Sequence, residues 1–195
     1  PERAPDELLA QVAKLGVAHE DRVLARYRAD QRVVIIPRPA GRYTVEGLQQ
    51  ALEDTLRVLA EGPDVVAQAV LFDGEFLGYP DFLENTPKGW LIADAKVARS
   101  AKTSALLQLG AYAHMLQQAG VPLAPQVALH LGDGRREEHR VADIVPVFLE
   151  RRKRMRELVC NHDGLSSPVA WGSELVAVCG HCDECAEAIQ ESDDL

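Results

Sequence analysis

Cysteine is missing from the first 159 residues of this 195-residue chain; its four copies, Cys160, Cys179, Cys182 and Cys185, all lie near the end. A disulfide scaffold spreads its cysteines, whereas a metal or cluster site bunches them, so the pattern argues for a reducing, cytoplasmic setting. Long apolar runs are missing as well. None approaches the ~20 residues that a membrane helix needs, and nothing near the start resembles a signal peptide, so no membrane association is expected. A basic excess is also lacking: 30 acidic residues stand against 21 basic ones, for a net charge of -9. A chain coated for nucleic acid would carry the opposite sign. Two local features temper that exclusion. Part of the acidity is confined to residues 184–194, and basic residues gather at Arg151, Arg152, Lys153, Arg154 and Arg156. A metal site built from carboxylates would add negative charge of its own. The initial Pro1 in place of Met marks an expected excised or processed segment.

What is present is ample apolar material, 47% of residues, enough for the core of one domain with a small appendage. Residues 6–30 carry Leu8, Leu9, Val12, Leu15, Val23 and Leu24 at helical spacing. Residues 32–36 read as a short β-branched strand stopped by Pro37 and Pro39. Thr44 is the expected N-cap of a helix over 44–61, ended by Gly62-Pro63. Three strand-like runs follow at 64–72, 75–84 and 90–97. Asp73-Gly74 between the first two is a hairpin signal. A helix over 102–119 ends at Gly120, strands over 126–131 and 136–141 flank Asp133-Gly134, and a basic helix spans 143–159. This order predicts an α/β domain with a central mixed sheet flanked by helices. The expected division is a core over 1–160 and a cysteine-containing extension over 161–195, packed on the same domain.

The chemistry concentrates around Asp94-Ala95-Lys96, at the end of the third strand-like run. Side chains two apart on a strand share a face, so Asp94 and Lys96 are neighbours. The preceding run contains Tyr79-Pro80-Asp81, and folding back about Pro87–Lys88 sets Asp81 almost opposite Asp94. Two carboxylates and an ammonium then meet on one sheet. A hard cation such as Mg²⁺ needs only one or two carboxylates and keeps several waters. Bound there, it polarises a phosphate and acidifies a water, while a lysine neutralises developing charge. Alone, an Asp-x-Lys triplet is more often a solvent-facing pair on a hairpin. Gln108 and Tyr112 share a helical face at i,i+4, and His19 sits in the first helix within Gly16-Val17-Ala18-His19-Glu20. Each of these, by itself, is ordinary helix surface or structure.

Together the series Gly16-x-x-His19, Pro80-Asp81, Asp94-x-Lys96 and Gln108-x-x-x-Tyr112 resembles the RecB-like branch of the PD-(D/E)xK nucleases, over about residues 16–185. That branch includes the nuclease domains of RecB and AddB and the CRISPR-associated exonucleases. The resemblance implies a restriction-endonuclease-like core and a Mg²⁺- or Mn²⁺-dependent deoxyribonuclease. By it, His19, Asp81 and Asp94 are metal ligands, assisted by the Ala95 carbonyl, and Lys96 is the catalytic lysine. Gln108 and Tyr112 position the site or the DNA strand, and Glu20 is a weaker candidate. The implied partner is DNA with free ends, preferably single-stranded, and the implied role is an exonuclease in DNA repair or processing. A helicase or second nuclease domain in a larger protein would accompany it. The rival is a catalytically inactive module of the same fold that binds DNA or a partner through its C-terminus.

Cys179, Cys182 and Cys185 form a Cys-x-x-Cys-x-x-Cys turn that can present three thiolates to one centre, as zinc or an iron–sulfur cluster. The resemblance favours [4Fe–4S], because many RecB-like nucleases staple their chain ends with one. Those relatives take the fourth thiolate from before the first helix, where this chain has none. The expectation is that it was lost ahead of Pro1. Cys160 as substitute, or His181 or His162 completing a zinc site, are the alternatives. The basic cluster over 151–156 is either a solvated helix face or part of a groove for the DNA backbone.

Overall fold

The structure, a computed structural model, describes residues 7–38 and 44–162. In order these form α1 (Glu7–Asp30), β1 (Val33–Ile35), α2 (Val45–Ala60), β2 (Val65–Ala67), β3 (Leu71–Phe72), β4 (Leu77–Gly78) and β5 (Phe82–Thr86). They continue as β6 (Gly89–Lys96), α3 (Thr103–Gln118), β7 (Leu123–Leu131), β8 (Arg136–Arg140) and α4 (Val141–His162). The chain divides into two compact units, Pro1–Leu149 and Glu150–Leu195. The first carries every strand found among the described residues. Cys179, Cys182, Cys185 and His181 lie outside the described residues, as do the side chains of Leu8, Leu9 and His162.

Six strands form one sheet in the order β1-β2-β5-β6-β7-β8. Pairing is parallel at β1–β2 and β6–β7 and antiparallel at β2–β5, β5–β6 and β7–β8, which is the mixed sheet expected. The parallel β6–β7 pair requires a crossover, and α3 supplies it. Helices cover both faces. On one, Val23 of α1 meets Val65, Ala67, Phe82, Leu91, Ala93 and Ala128. On the other, α2 and α3 pack on Val66, Leu83, Ile92, Val127 and Leu129. Consecutive β6 residues thus alternate between two buried layers, so the strand reads as an unbroken apolar run. Leu83, Leu109, Leu116 and Leu129 are fully buried, and each contributes ~1.5–3 kcal/mol by leaving water.

Local signals explain the helix limits. Thr44 caps α2, its Oγ1 accepting a hydrogen bond from the Gly47 N–H at 3.1 Å, and Gly62 stops the helix at φ 68°. Asp73 Oδ1 accepts from the Glu75 and Phe76 N–H groups at 3.0 and 2.8 Å, closing the turn between β3 and β4.

Three expectations are corrected. The run 64–72 is not one strand: it breaks after Ala67 at Gln68, whose φ of 56° is left-handed. That conformation costs a non-glycine residue ~1–3 kcal/mol and survives only where its surroundings impose it. The run 75–84 is likewise two strands, and β3–β4 forms a sheet of its own, so β2 pairs directly with β5. Pro80, which lacks an N–H for a ladder, precedes the bend at Asp81. Asp81 therefore stands at the mouth of β5 rather than inside a strand. In α1, Val12 and Leu15 are exposed; the packed stripe is His19, Val23 and Tyr27, with Glu20 and Leu24 half-buried beside it. One turn separates these positions, so they form a single face.

Candidate active site

The β5–β6 hairpin sets the geometry. A two-residue turn at Pro87–Lys88 pairs Thr86 with Gly89 and, further along, Phe82 with Ala93. One step beyond that pair, Asp81 faces Asp94. Gly89 closes the turn at φ 107°, a backbone state that favours glycine. Since Ile92 faces the α2/α3 layer and Ala93 the α1 layer, Asp94 and Lys96 project on the α3 side.

Asp94 is 1% exposed, and its Oδ1 has no hydrogen-bond partner. Its Oδ2 is ion-paired with Lys96 Nζ. Lys96 Nζ also donates to Gln108 Oε1 at 3.1 Å, Gln108 Nε2 donates to Tyr112 Oη at 2.5 Å, and the Tyr112 hydroxyl donates to the Tyr79 carbonyl at 3.3 Å. An ammonium can only donate and a carbonyl can only accept, so this chain orients the Gln108 amide with its oxygen toward Lys96. Gly78 makes room for it: a methyl group there would collide with the Tyr112 ring.

Asp81 is held by the Ala95 N–H, which donates to its Oδ2 at 2.7 Å. Burial, followed by the charge of Asp94, pushes the Asp81 carboxyl far above the ordinary carboxylate range, to about 8; the Ala95 N–H pulls the other way and Glu20 adds to the rise. Tyr112 is raised to about 12 by burial and by Asp94, which keeps it a neutral donor. Two carboxylates facing each other under burial, one with an orphaned oxygen, make a site that a cation would stabilise.

The structure brings together Asp81, Asp94, Lys96, Gln108 and Tyr112. It does not bring His19 into that group: among the described residues no three His, Cys, Asp or Glu side chains gather into a cage. His19 is buried, its Nε2 donating to the His130 carbonyl at 2.9 Å and its Nδ1 lying 3.4 Å from Arg22 Nη2. Ala95 contributes its N–H to Asp81, at 2.7 Å. Glu20, whose charge adds to the rise at Asp81, accepts at Oε1 from Gln68 Nε2 at 3.2 Å. A hard cation that keeps most of its waters needs no fuller cage than a carboxylate pair, so Asp81 and Asp94 fit Mg²⁺ or Mn²⁺ by donor chemistry.

Sequence reasoning missed several neighbours. A cleft of about 280 Å³ opens beside Lys96 and is lined by Ser100, Lys102, Ser104 and Gln108. Gln68 and the Tyr79 carbonyl also passed unnoticed. The signal for Gln68 was a lone polar residue between Ala67 and Ala69 in an otherwise apolar run; a backbone carbonyl leaves no signal at all. On the second unit, Arg151, Lys153, Arg154 and Arg156 are exposed, with Lys153 3.9 Å from Glu157. Cys160 is exposed and unpaired by any disulfide.

No curated protein matches the chain. The family model described as the PD-(D/E)XK nuclease superfamily matches residues 2–186. With an acidic pair and a lysine set on a mixed sheet as such a nuclease requires, the chain belongs to the PD-(D/E)XK nuclease superfamily.

Proposed function

We propose that this chain is a divalent-metal-dependent deoxyribonuclease of the RecB-like branch, acting on DNA ends in repair or processing. The observation that carries the reading is the buried Asp94 oxygen left without a donor beside a second carboxylate and a lysine. A natural protein rarely leaves such an atom unsatisfied unless an ion, a water or a reacting group completes it.

Asp81 and Asp94 would hold Mg²⁺ or Mn²⁺. When bound, such a cation polarises the scissile phosphate and lowers the pKa of the attacking water. Lys96, released in part from Asp94, points its ammonium at the phosphate and offsets charge developing there. Gln108 fixes the height of Lys96, and Tyr112 fixes Gln108 through the Tyr79 carbonyl. Lys102, Ser100 and Ser104 line the adjoining cleft and supply donors for the backbone of an incoming strand. His19 would join the ligands through Nδ1, which lies 3.4 Å from Arg22 Nη2, while its Nε2 keeps the His130 carbonyl. The cysteine turn over 179–185 belongs to the same reading as a [4Fe–4S] or zinc centre, on its spacing alone. Among the described residues no helix is long and apolar enough to cross a membrane.

The test is degradation of end-labelled single strands, linear duplex and closed circles with Mg²⁺ or Mn²⁺. Release of mononucleotides or short products from linear DNA, with circles spared, is the expected outcome. Circle nicking would move the activity to an endonuclease. A protein that binds Mn²⁺ and leaves every substrate intact would overturn the enzyme reading in favour of a binding module.

A further inference from the structure

Gln68 occupies a position that its own residue type does not favour. Among the described residues it is the one non-glycine in the left-handed region, at φ 56°, between the fully buried Ala67 and Ala69. Its backbone has a clear structural role, since the Gln68 N–H donates to the Asp81 carbonyl at 2.9 Å and ties the break in β2 to the residue that opens β5. Glycine would fill that role without strain. The side chain therefore calls for a separate explanation, and its contact supplies one. Gln68 Nε2 donates to Glu20 Oε1 at 3.2 Å, across 48 residues of sequence.

Glu20 is half-buried on the packed face of α1. Its charge reaches Asp81, whose neighbour Asp94 holds a fully buried oxygen with no donor. Left alone, a carboxylate on a helix would turn to water rather than stay within reach of the Asp81 carboxyl. The Gln68 amide offsets that repulsion with a neutral donor, leaving the negative charge of Glu20 intact.

We infer that Gln68 is a positioning residue that holds Glu20 as an outer carboxylate of the Asp81–Asp94 site, where it accepts hydrogen bonds from the waters of a bound divalent cation. The inference rests on the nuclease reading and deepens it. Oxygen-bound Mg²⁺ and Mn²⁺ keep several waters, and groups that orient a metal's surroundings from outside the ligand set change affinity by ~10–100-fold when lost. Three carboxylates that do not form a cage become, in this arrangement, two ligands and one acceptor for water.

Mn²⁺ titration of the full chain by calorimetry, with thermal melting alongside, tests it. Gln68→Ala should weaken Mn²⁺ binding about tenfold. Gln68→Gly should weaken it equally while melting at the same or a higher temperature, because glycine relieves the left-handed backbone. Glu20→Gln should reproduce the loss, and the Gln68→Ala/Glu20→Gln double variant should lose no more than Glu20→Gln alone. Unchanged affinity in the Gln68 variants, additive losses, or a loss confined to variants that also melt earlier would overturn the inference and leave the nuclease reading standing. A wild-type chain that binds no Mn²⁺ would overturn that reading, and the inference with it.

Discussion

Two polar clusters occupy opposite faces of the same sheet, and they are built to different ends. On the α1 face, Glu84 of β5 accepts from the Tyr27 hydroxyl at 2.6 Å and from Arg136 at 2.7 and 3.1 Å. Tyr27 has one proton and directs it to Glu84, so His130 Nε2, 2.8 Å away, is the donor to its oxygen. Each of the four side chains has a partner. On the α3 face, Asp81 and Asp94 confront each other, and Asp94 Oδ1 has none. The pKa shifts separate the clusters as plainly. Burial pushes Glu84 up, but His130, 3.9 Å away, and the hydrogen bonds from Arg136 and Tyr27 outweigh it and hold the carboxyl down at about 2. Burial pushes Asp81 the same way, and there the nearest charge adds to the push. One cluster has its electrostatics closed within the chain and stabilises the fold; the other leaves a buried carboxylate oxygen unpartnered, which the proposed cation would satisfy.

That contrast is broken most sharply by exchanging single residues between the two roles. Asp94→Asn should abolish cleavage and Mn²⁺ binding while the melting temperature holds or rises, since the change removes carboxylate repulsion and opens no cavity. A lowered melting temperature with activity retained would reverse the assignment of the two faces. Glu84→Ala should do the opposite: a loss of ~3 kcal/mol in denaturant unfolding, because Arg136 and Tyr27 are left half-buried without their acceptor, with Mn²⁺ affinity unchanged.

The pH dependence of the cation-free protein sharpens the same comparison. The Glu84 pKa is lowered from its ordinary 4.5 to about 2, so its contribution is fully present above pH 4.5 and is lost as pH falls toward 2. The Asp81 pKa is raised from 3.8, so its ionisation destabilises the fold, and stability is lost as pH rises through the raised value. Melting temperature followed from about pH 3 to about pH 9 should therefore pass through a maximum at about pH 4, between the ordinary values of the two carboxyls, 3.8 and 4.5. Saturating Mn²⁺ should remove the alkaline decline, and Glu84→Gln should remove the acid one. A flat profile without metal would show that the carboxylate pair is not under strain.

Smaller effects test the supports of the site. Gly78→Ala forces the Tyr112 ring aside, which should cost ~1–3 kcal/mol as overpacking and lower kcat through Gln108 and Lys96. Lys102→Ala should raise KM for DNA a few-fold, reduce the salt dependence of binding by ~1 phosphate contact, and leave melting alone. A kcat effect from Lys102 larger than that from Gly78 would place the cleft nearer the chemistry than the Gln108–Tyr112 chain.

Interactions that act over a few residues were legible in the chain before folding. The turn at Pro87–Lys88 set the β5–β6 register and hence the meeting of Asp81 with Asp94; a period of two put Asp94 and Lys96 on one face; Thr44 capped its helix. Tertiary structure alone decided the partners across long separations. Nothing near Gln68 in sequence announces a left-handed residue, because Asp81 and Glu20, the groups that hold it there, lie elsewhere in the chain. The apolar spacing of Val12 and Leu15 promised a buried face, yet α1 packs through His19, Val23 and Tyr27, since burial depends on where the sheet begins. His19 shows the limit most clearly. Its motif marks it as a ligand, but the partner that orients its ring, a carbonyl 111 residues away, is chosen only by the fold. Periodicity and turn chemistry are local energies that a sequence displays directly, whereas a hydrogen-bond partner is chosen only when folding has removed the water that would otherwise serve.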